Sequence, residues 1–239
     1  MIRYPSIISL PNLRLYFHQD IFAEEYFMVA GGRTPELSWL KAAAAGRTLY
    51  CVDHGADACR AAGLSPSFFI GDGDSAGEDT LKWLQSSNAE IRRYPPEKDK
   101  TDTQLALELV AKKKDDFVIL SGCFGGRLDH LFSLLYSFVG SSVRGCLADE
   151  REFLFVLRGG ESVEIELDAV PQSVSLLPLS PECTGVSLSG VHWPLSGAGL
   201  RQDNPYAVSN RLASAENRIK AENGSGILAF YLCWNESGI

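Results

Sequence analysis

Short apolar runs alternate with amphipathic stretches over much of the chain. From about Phe27 to Val156 this alternation repeats, which is the pattern of consecutive strand–helix units and predicts a parallel sheet. The predicted strands are 27–30, 48–52, 67–70, 90–94, 117–121, 144–148 and 152–157.

Helices are predicted between these strands. One covers residues 35–45, with Thr34 as its cap and a proline at its first position. Residues 101–104 have the form of a capping box, which indicates that a second helix begins there. Apolar residues at helical spacing predict a third helix from Leu128 to Gly140.

The pattern changes after about residue 158. Short apolar segments are then separated by Gly, Pro, Ser and Asn, without a helical period, which predicts a small all-β sandwich. The expected fold class is therefore α/β, with a parallel-sheet nucleotide-binding domain over residues 1–157 and a smaller β-sandwich domain over 158–239. The first 20 residues fit an extra strand, a hairpin or a loose arm equally well.

Composition narrows the class of protein. A chain of 239 residues with 45% hydrophobic content can form a core without disulfides, so the six cysteines are expected to be free buried thiols. A net charge of −8 argues against nucleic-acid or anionic-membrane partners. Neither a secretory leader nor an apolar run of about 18 residues is visible, which predicts a cytoplasmic protein.

Aspartates follow several predicted strands at the point where each strand ends. The carboxyl ends of parallel strands form the crevice where open α/β sheets bind ligands, so these side chains are expected to lie close together. Clustered carboxylates repel one another unless a cation lies among them, and Mg²⁺ commonly binds carboxylates together with substrate phosphates. Singly, each aspartate fits a helix cap or turn as well. They are Asp53, Asp72, Asp74, Asp102 and Asp129.

The segment Gly71–Ser75 is the most specific part of this set. Asp72 and Asp74 are separated by one glycine and preceded by another, which permits a tight turn with both carboxylates directed at one ion. Cys and His do not occur in these loops in the number that a soft metal needs. The pair therefore predicts a magnesium site.

Lys98 and Lys100 bring positive charge to the edge of the same acidic crevice, where nucleotide phosphates would need it. Both also fit ordinary surface lysines. Asp102 is expected in the first turn of a helix, where the helix dipole keeps a carboxylate ionised. An ionised carboxylate is what a metal site requires.

The turn Gly122–Arg127 follows a predicted strand and precedes a helix, where backbone N–H groups attract anions. It is neither a Walker A sequence nor a G-x-G-x-x-G fingerprint. Arg127 adds a two-pronged phosphate donor. Asp129 and His130 follow at the same mouth, although a capping aspartate and a surface histidine are the alternative interpretation.

Four motifs occur in order along the chain: 53–57 (DHGAD), 70–75 (IGDGDS), 96–102 (PEKDKTD) and 125–130 (GGRLDH). Together they resemble the catalytic half of bacterial thiamine pyrophosphokinases. The resemblance implies an α/β nucleotide-binding domain followed by a β-sandwich, in a homodimer with thiamine bound between subunits. It also implies thiamine-side contacts at Trp193, Ser209 and Asn210, although Trp193 fits a sandwich core residue equally well.

The sequence departs from the family pattern at a few positions. Gly73 stands where the family usually has an aromatic residue, and His54 stands where it has a second glycine. The stretch 131–135 is more apolar than expected, so a polar substrate contact is missing there. Because no carboxylate is lost, these departures concern the acceptor and the packing of the nucleotide rather than the metal.

The implied reaction is transfer of a diphosphate from ATP to the hydroxyl of thiamine, giving thiamine diphosphate and AMP. Asp72, Asp74 and Asp102 are the expected Mg²⁺ ligands, and Asp53 and Asp129 are expected as further ligands, as partners of the ligands, or as acceptors of the substrate proton. Contacts to the nucleotide are expected from Lys98, Lys100, Thr101, Gly125, Gly126, Arg127 and His130.

Other functions fit the same residues. A pyrophosphokinase of this architecture acting on another alcohol, such as a hydroxymethyl-pterin, would differ only at its acceptor site. A non-catalytic thiamine- or nucleotide-binding module would bind nucleotide without forming AMP. A phosphohydrolase would release product from ATP without an acceptor.

Overall fold

A computed structural model describes residues 6–18, 22, 24–71, 78–95, 97–111, 116–213 and 217–234. The chain divides into two compact units. Residues 22–149 form the first, which we call the α/β unit. Residues 1–21 and 150–239 form the second, which we call the β unit.

A hairpin precedes the α/β unit along the chain. Strand β1 (Ser6–Leu10) pairs antiparallel with β2 (Leu13–Phe17), and every second side chain is buried. This alternation is typical of a sheet with one face against a core. Of the three alternatives for this segment, the structure selects the hairpin.

Parallel strands form the sheet of the α/β unit. β7 is buried at every position, as expected where helices cover both faces of a sheet. In chain order the strands are β3 (Glu24–Val29), β4 (Thr48–Val52), β5 (Phe68–Gly71), β6 (Glu90–Arg93), β7 (Asp116–Ser121) and β8 (Arg144–Ala148). Their spatial order is β8-β7-β3-β4-β5-β6. Strands β4 to β6 are therefore added on one side of β3 and strands β7 and β8 on the other, so the order of strands reverses between β3 and β7.

Helices connect these strands: α1 (Leu37–Ala44), α2 (Gly55–Ala61), α3 (Glu78–Ser86), α4 (Asp102–Val110) and α5 (Leu128–Gly140). The predicted capping box at the start of α4 is confirmed, and so are the bounds of α5. The predicted cap of α1 at Thr34 is wrong. Glu36 immediately precedes that helix and makes no side-chain cap bond. Thr34 lies in the loop before it, because the amides of residues 32 and 33 donate to the carbonyls of residues 122 and 124.

The β unit contains two antiparallel sheets. Its further strands are β9 (Glu152–Arg158), β10 (Glu161–Leu167), β11 (Ser173–Pro178), β12 (Glu182–Ser189), β13 (Leu195–Arg201), β14 (Arg218–Asn223) and β15 (Ile227–Cys233). One sheet has the order β1-β2-β10-β14-β12-β13, and β11-β15-β9 run beside one another in the second. The rings of Phe17 and Phe155 lie 5.7 Å apart between the two sheets. This face-to-face packing of two sheets is a β-sandwich.

The boundary between the units differs from the predicted division at residue 157. β2 pairs with β10, and β9 pairs with β15 from Glu152 to Arg158. β2 and β9 therefore belong to the β unit, although both precede residue 158. The consecutive apolar residues of β9 match a buried parallel strand, and hydrophobic pattern alone does not reveal a strand's partner.

All six cysteines are buried and free, as predicted. Within the described ranges, no helix is both long and apolar enough to cross a membrane.

Candidate active site

The carboxyl ends of the parallel strands carry most of the predicted site residues. Loops after β3, β4, β6, β7 and β8 leave this edge of the sheet. Ligands of open α/β sheets bind at such an edge, beside the point where the chain reverses direction. Here that point lies between β3 and β7.

Asp53 directly follows β4 and has a positive φ of 48°. This left-handed conformation is unfavourable for a residue with a side chain and occurs often at functional sites. The Asp53 amide donates to the Ile70 carbonyl at 3.0 Å. A Cβ atom added at Gly71 would overlap Asp53 Oδ1, so the glycine at the end of β5 leaves room for this carboxylate.

Asp72 and Asp74 follow β5 immediately but lie outside the described residues, as does Gly73. Their predicted role as metal ligands therefore stays a prediction. The neighbouring geometry is compatible with it, because Asp53 Oδ1 lies against Gly71, one residue before Asp72.

Asp102 opens α4 and is largely buried, with 10% of its side chain exposed. Its Oδ2 lies 3.0 Å from Lys98 Nζ, and the Lys98 side chain is 15% exposed. Asp102 Oδ1 is buried and receives no hydrogen bond from any residue that the structure describes. One carboxylate oxygen is thus available to a cation or a donor.

Thr101 and Lys100 have other partners. The Thr101 hydroxyl accepts the Gln104 amide at 3.2 Å, and the Thr101 amide donates to Gln104 Oε1 at 2.8 Å. Lys100 Nζ lies 2.6 Å from Glu108 Oε1, and both side chains are half exposed. Thr101 therefore orients the helix that carries Asp102, whereas Lys100 pairs with Glu108, farther along the same helix, rather than with Asp102.

The turn before α5 depends on left-handed glycines. Gly122, Gly125 and Gly126 have φ values of 65°, 70° and 70°, a region that other residues adopt at a cost. Gly125 and Gly126 are exposed, and a Cβ atom at Gly126 would meet nothing within 4 Å. Arg127 provides no side-chain cap for α5, and although the His130 amide donates to Asp129 Oδ1, no described residue accepts the amides of Leu128 and Asp129, which are available to an anion.

Arg127 and Asp129 contact each other in an exposed, two-pronged ion pair. Arg127 Nε donates to Asp129 Oδ1 at 3.1 Å, and Nη2 donates to Oδ2 at 2.5 Å. The hydrogen bond from Arg127 lowers the pKa of the Asp129 carboxyl. The backbone amide of His130 also donates to Asp129 Oδ1, at 3.0 Å, and the His130 side chain is exposed.

Arg33 and Asp149 are not among the predicted site residues. Asp149 follows β8, and its side chain is fully buried. Arg33 follows β3 and donates to Asp149 Oδ2 from both Nε, at 3.1 Å, and Nη2, at 2.6 Å. The rule that found the other aspartates, a carboxylate directly after a strand, would have found Asp149 as well.

The thiamine-side candidates lie in the β unit. Trp193 is 57% exposed and is therefore not a core residue. Arg211 lies over its ring, 5.5 Å from the centroid. Buried Asn210 accepts the amides of Trp193 and Arg211 at 3.2 and 2.9 Å and donates to the Trp193 carbonyl at 2.8 Å. Ser209 has a positive φ of 57°.

Asn210 thus holds the Trp193 segment in place through two of these bonds, to the Trp193 amide and carbonyl, while the third is to the amide of its own neighbour Arg211. The side-chain amide of Asn210 makes its hydrogen bonds to backbone groups, so the structure favours a supporting role over the predicted direct contact with a ligand. Trp193 is the residue of this group that presents an aromatic surface to solvent.

No group of three or more His, Cys, Asp or Glu side chains able to hold a metal occurs among the described residues. The described part of the crevice contributes carboxylate oxygens of Asp53 and Asp102. These are the donors that Mg²⁺ prefers, and the free Oδ1 of Asp102 fits a cation.

Two family descriptions match the chain in succession. "Thiamin pyrophosphokinase, catalytic domain" matches residues 40–146, within the α/β unit. "Thiamin pyrophosphokinase, vitamin B1 binding domain" matches residues 162–228, within the β unit.

Individual relatives agree. The thiamine pyrophosphokinase of Bacillus subtilis (strain 168) is 28% identical over 176 residues, which cover 72% of this chain and 82% of the relative. The crystal structure of the B. subtilis thiamine pyrophosphokinase has a TM-score of 0.76 at 25% identity, covering 89% of this chain and 100% of that one. That of the Geobacillus thermodenitrificans enzyme has a TM-score of 0.75 at 25% identity, covering 90% and 100%. The chain therefore belongs to the thiamin pyrophosphokinase family.

Proposed function

We propose that this protein transfers a diphosphate group from ATP to the primary hydroxyl of thiamine, giving thiamine diphosphate and AMP. The observation that carries the proposal is the state of Asp102. A buried carboxylate oxygen without a donor is unfavourable, so such groups occur where a ligand completes the site. Asp102 Oδ1 is such an oxygen, at the ligand-binding edge of a parallel sheet.

Asp102 and Asp53 would hold Mg²⁺ together with Asp72 and Asp74. When bound, Mg²⁺ would neutralise charge on the phosphates of ATP. Lys98 balances the charge of Asp102, with its Nζ 3.0 Å from Asp102 Oδ2. Lys98 would contact a phosphate with its ammonium group if Asp102 held a cation instead.

The turn Gly122–Arg127 would bind phosphate oxygens through its backbone amides and the start of α5. Arg127 would join them by exchanging its present partner. Its ion pair with Asp129 is exposed, and exposed ion pairs contribute little stability, so a phosphate can replace the carboxylate. The released Asp129 carboxylate would then be free to accept the proton of the attacking hydroxyl.

The reaction needs no strong base. Phosphoryl-type transfer depends mainly on in-line positioning and on neutralising charge, and these residues supply both. Attack on the β-phosphorus makes AMP the leaving group, which separates this reaction from ordinary kinase chemistry.

Thiamine would stack on the exposed ring of Trp193, which Asn210 fixes in position. Assembly as a homodimer with thiamine between the protomers and a cytoplasmic location complete the proposal. These two parts rest on the family resemblance and, for the location, on composition.

A comparison of acceptors tests the proposal. The protein is incubated with ATP and Mg²⁺, together with either thiamine or a hydroxymethyl-pterin, and formation of each diphosphate ester is followed by chromatography. We expect the thiamine ester alone. Formation of the pterin ester would indicate a pyrophosphokinase that acts on another alcohol. Nucleotide binding without either ester would indicate a non-catalytic binding module.

A substitution tests the metal assignment separately. Asp72→Asn or Asp74→Asn should give a folded protein with little activity, because the neutral amide is a poor Mg²⁺ ligand. Near-normal turnover in either variant would refute the assignment.

A further inference from the structure

The loops after β3 and β7 lie backbone to backbone. The amides of Gly32 and Arg33 donate to the carbonyls of Gly122 and Phe124 at 2.7 and 2.8 Å. A Cβ atom at Gly32 would overlap the Gly122 carbonyl oxygen, and one at Gly122 would overlap the Ala30 carbonyl oxygen. Both glycines are therefore required for this contact.

The Arg33 side chain extends the contact to the exposed part of the turn. A Cβ atom built on Gly125 would lie 3.1 Å from Arg33 Cβ, so the stem of Arg33 lies against this glycine. The guanidinium lies 5.9 Å from the centroid of the Phe124 ring. Its anchor is Asp149, at the end of β8, whose side chain is fully buried.

A glycine turn has many conformations to lose, so it binds an anion well only if the rest of the protein fixes it beforehand. Hydrogen bonds at Gly122 and Phe124 fix the first half of the turn. In the second half, the Arg33 side chain lies against Gly125, and a Cβ atom built on the adjacent Gly126 would meet nothing within 4 Å.

We propose that Arg33 and Asp149 are positioning residues that fix the conformation of Gly125 and Gly126 so that their amides can bind the phosphates of ATP. The pair links the ends of three strands, β3, β7 and β8, through one guanidinium. Its effect on nucleotide affinity rests on the proposed function, whereas its effect on the turn does not.

Three variants of the pair distinguish a positioning role from a general effect on the stability of the protein. Arg33→Met alone leaves a buried charge on Asp149, which is strongly destabilising. The double variant Arg33→Met/Asp149→Asn removes both charges, and Arg33→Lys keeps the ion pair but loses the planar group and its two-donor contact.

A second ion pair in the same unit provides a matched control. Arg47 Nε donates to Glu25 Oε2 at 2.7 Å, and the Arg47 side chain is 8% exposed. Glu25 is in β3 and Arg47 directly precedes β4, at the amino end of the sheet, away from the glycine turn. Arg47→Met/Glu25→Gln therefore removes a comparable pair without touching the loop.

The first measurement is calorimetric titration of the intact protein with Mg²⁺ and α,β-methylene ATP, which resists cleavage at the bond in question. We expect at least a tenfold loss of affinity in the double variant, a smaller loss in Arg33→Lys with little change in Tm, and a change under twofold in the control. Equal losses in the double variant and the control, or no loss in either, would overturn the proposal.

The second measurement needs no ligand. Backbone ¹⁵N order parameters of Gly125 and Gly126 should fall from about 0.85 to below about 0.6 in the double variant, and stay unchanged in the control. Unchanged values in the double variant would refute the positioning role. If the wild-type protein formed no AMP from ATP and thiamine, the proposed function would fail while this measurement still decided the role of Arg33.

Discussion

Replacing Lys98 with methionine should destabilise the protein far more than the same change at Lys100. Lys98 Nζ and Asp102 Oδ2 are 3.0 Å apart, and their side chains are only 15% and 10% exposed. At that distance and an effective dielectric constant near 20, their gross attraction is about 5 kcal/mol, much of it offset by desolvation. Removing one partner leaves the Asp102 charge uncompensated.

The expected loss is about 3 kcal/mol, the lower end of the range for one partner of a buried pair, because Lys98 keeps some exposure. A loss of that size lowers Tm by about 6–12 °C in a protein of this length. Lys100 pairs with Glu108 at 2.6 Å, but both side chains are 52% exposed. The free energy of a surface pair is about 0–1 kcal/mol, so Lys100→Met should change Tm by at most about 4 °C.

Thermal unfolding of both variants, with and without Mg²⁺, tests this reasoning. Mg²⁺ should raise the Tm of Lys98→Met more than that of the wild type, because the metal replaces the missing ammonium group beside Asp102. The double variant Lys98→Met/Asp102→Asn should regain most of the lost stability without Mg²⁺. Equal Tm losses at Lys98 and Lys100, or a Lys98→Met variant that Mg²⁺ does not stabilise, would refute the account of Asp102.

Three further outcomes are expected. Asn210→Ala should cost about 2–3 kcal/mol in chemical denaturation, because the buried Asn210 side chain makes two hydrogen bonds to the Trp193 backbone and one to the Arg211 amide, and a loss under half of that would contradict its supporting role. Arg211→Met should raise thiamine affinity roughly two- to fivefold by calorimetry, since it removes a cation from the ring face that the thiazolium would occupy, whereas weaker binding would show that Arg211 assists. Gly55→Ala should lower Tm by many degrees, because its Cβ would overlap the Val29 carbonyl oxygen, while Gly140→Ala, with nothing within 4 Å, should leave Tm nearly unchanged.

The hydrophobic pattern was sufficient to predict most of the parallel sheet, because its strands other than β6 contain a compact apolar run followed by a turn. The capping box located the start of α4, since the Thr101 and Gln104 side chains satisfy each other's backbone amides regardless of the rest of the fold. β13 and β14 lack such a signal. β13 is rich in glycine and serine, and β14 buries only alternate positions, so neither has a clear apolar run.

Site residues were predictable where they follow strands, and their partners were not. The positions of Asp53 and Asp102 follow from the strand–helix pattern alone. Their ion-pair partners depend on rotamers and local geometry. The pairs are Lys98 with Asp102, Lys100 with Glu108 and Arg127 with Asp129. The Arg33–Asp149 contact joins residues 116 positions apart, so it depends on the order of strands in the sheet, which a single sequence does not specify.

The central claim is that this chain makes AMP and thiamine diphosphate from ATP and thiamine. ³¹P NMR of the protein with ATP, Mg²⁺ and thiamine tests it most directly, because AMP, ADP, inorganic phosphate and thiamine diphosphate give separate signals. We expect AMP and thiamine diphosphate to appear in equal amounts, and neither to form without thiamine. Formation of ADP, or release of AMP or inorganic phosphate at the same rate when thiamine is omitted, would contradict the claim.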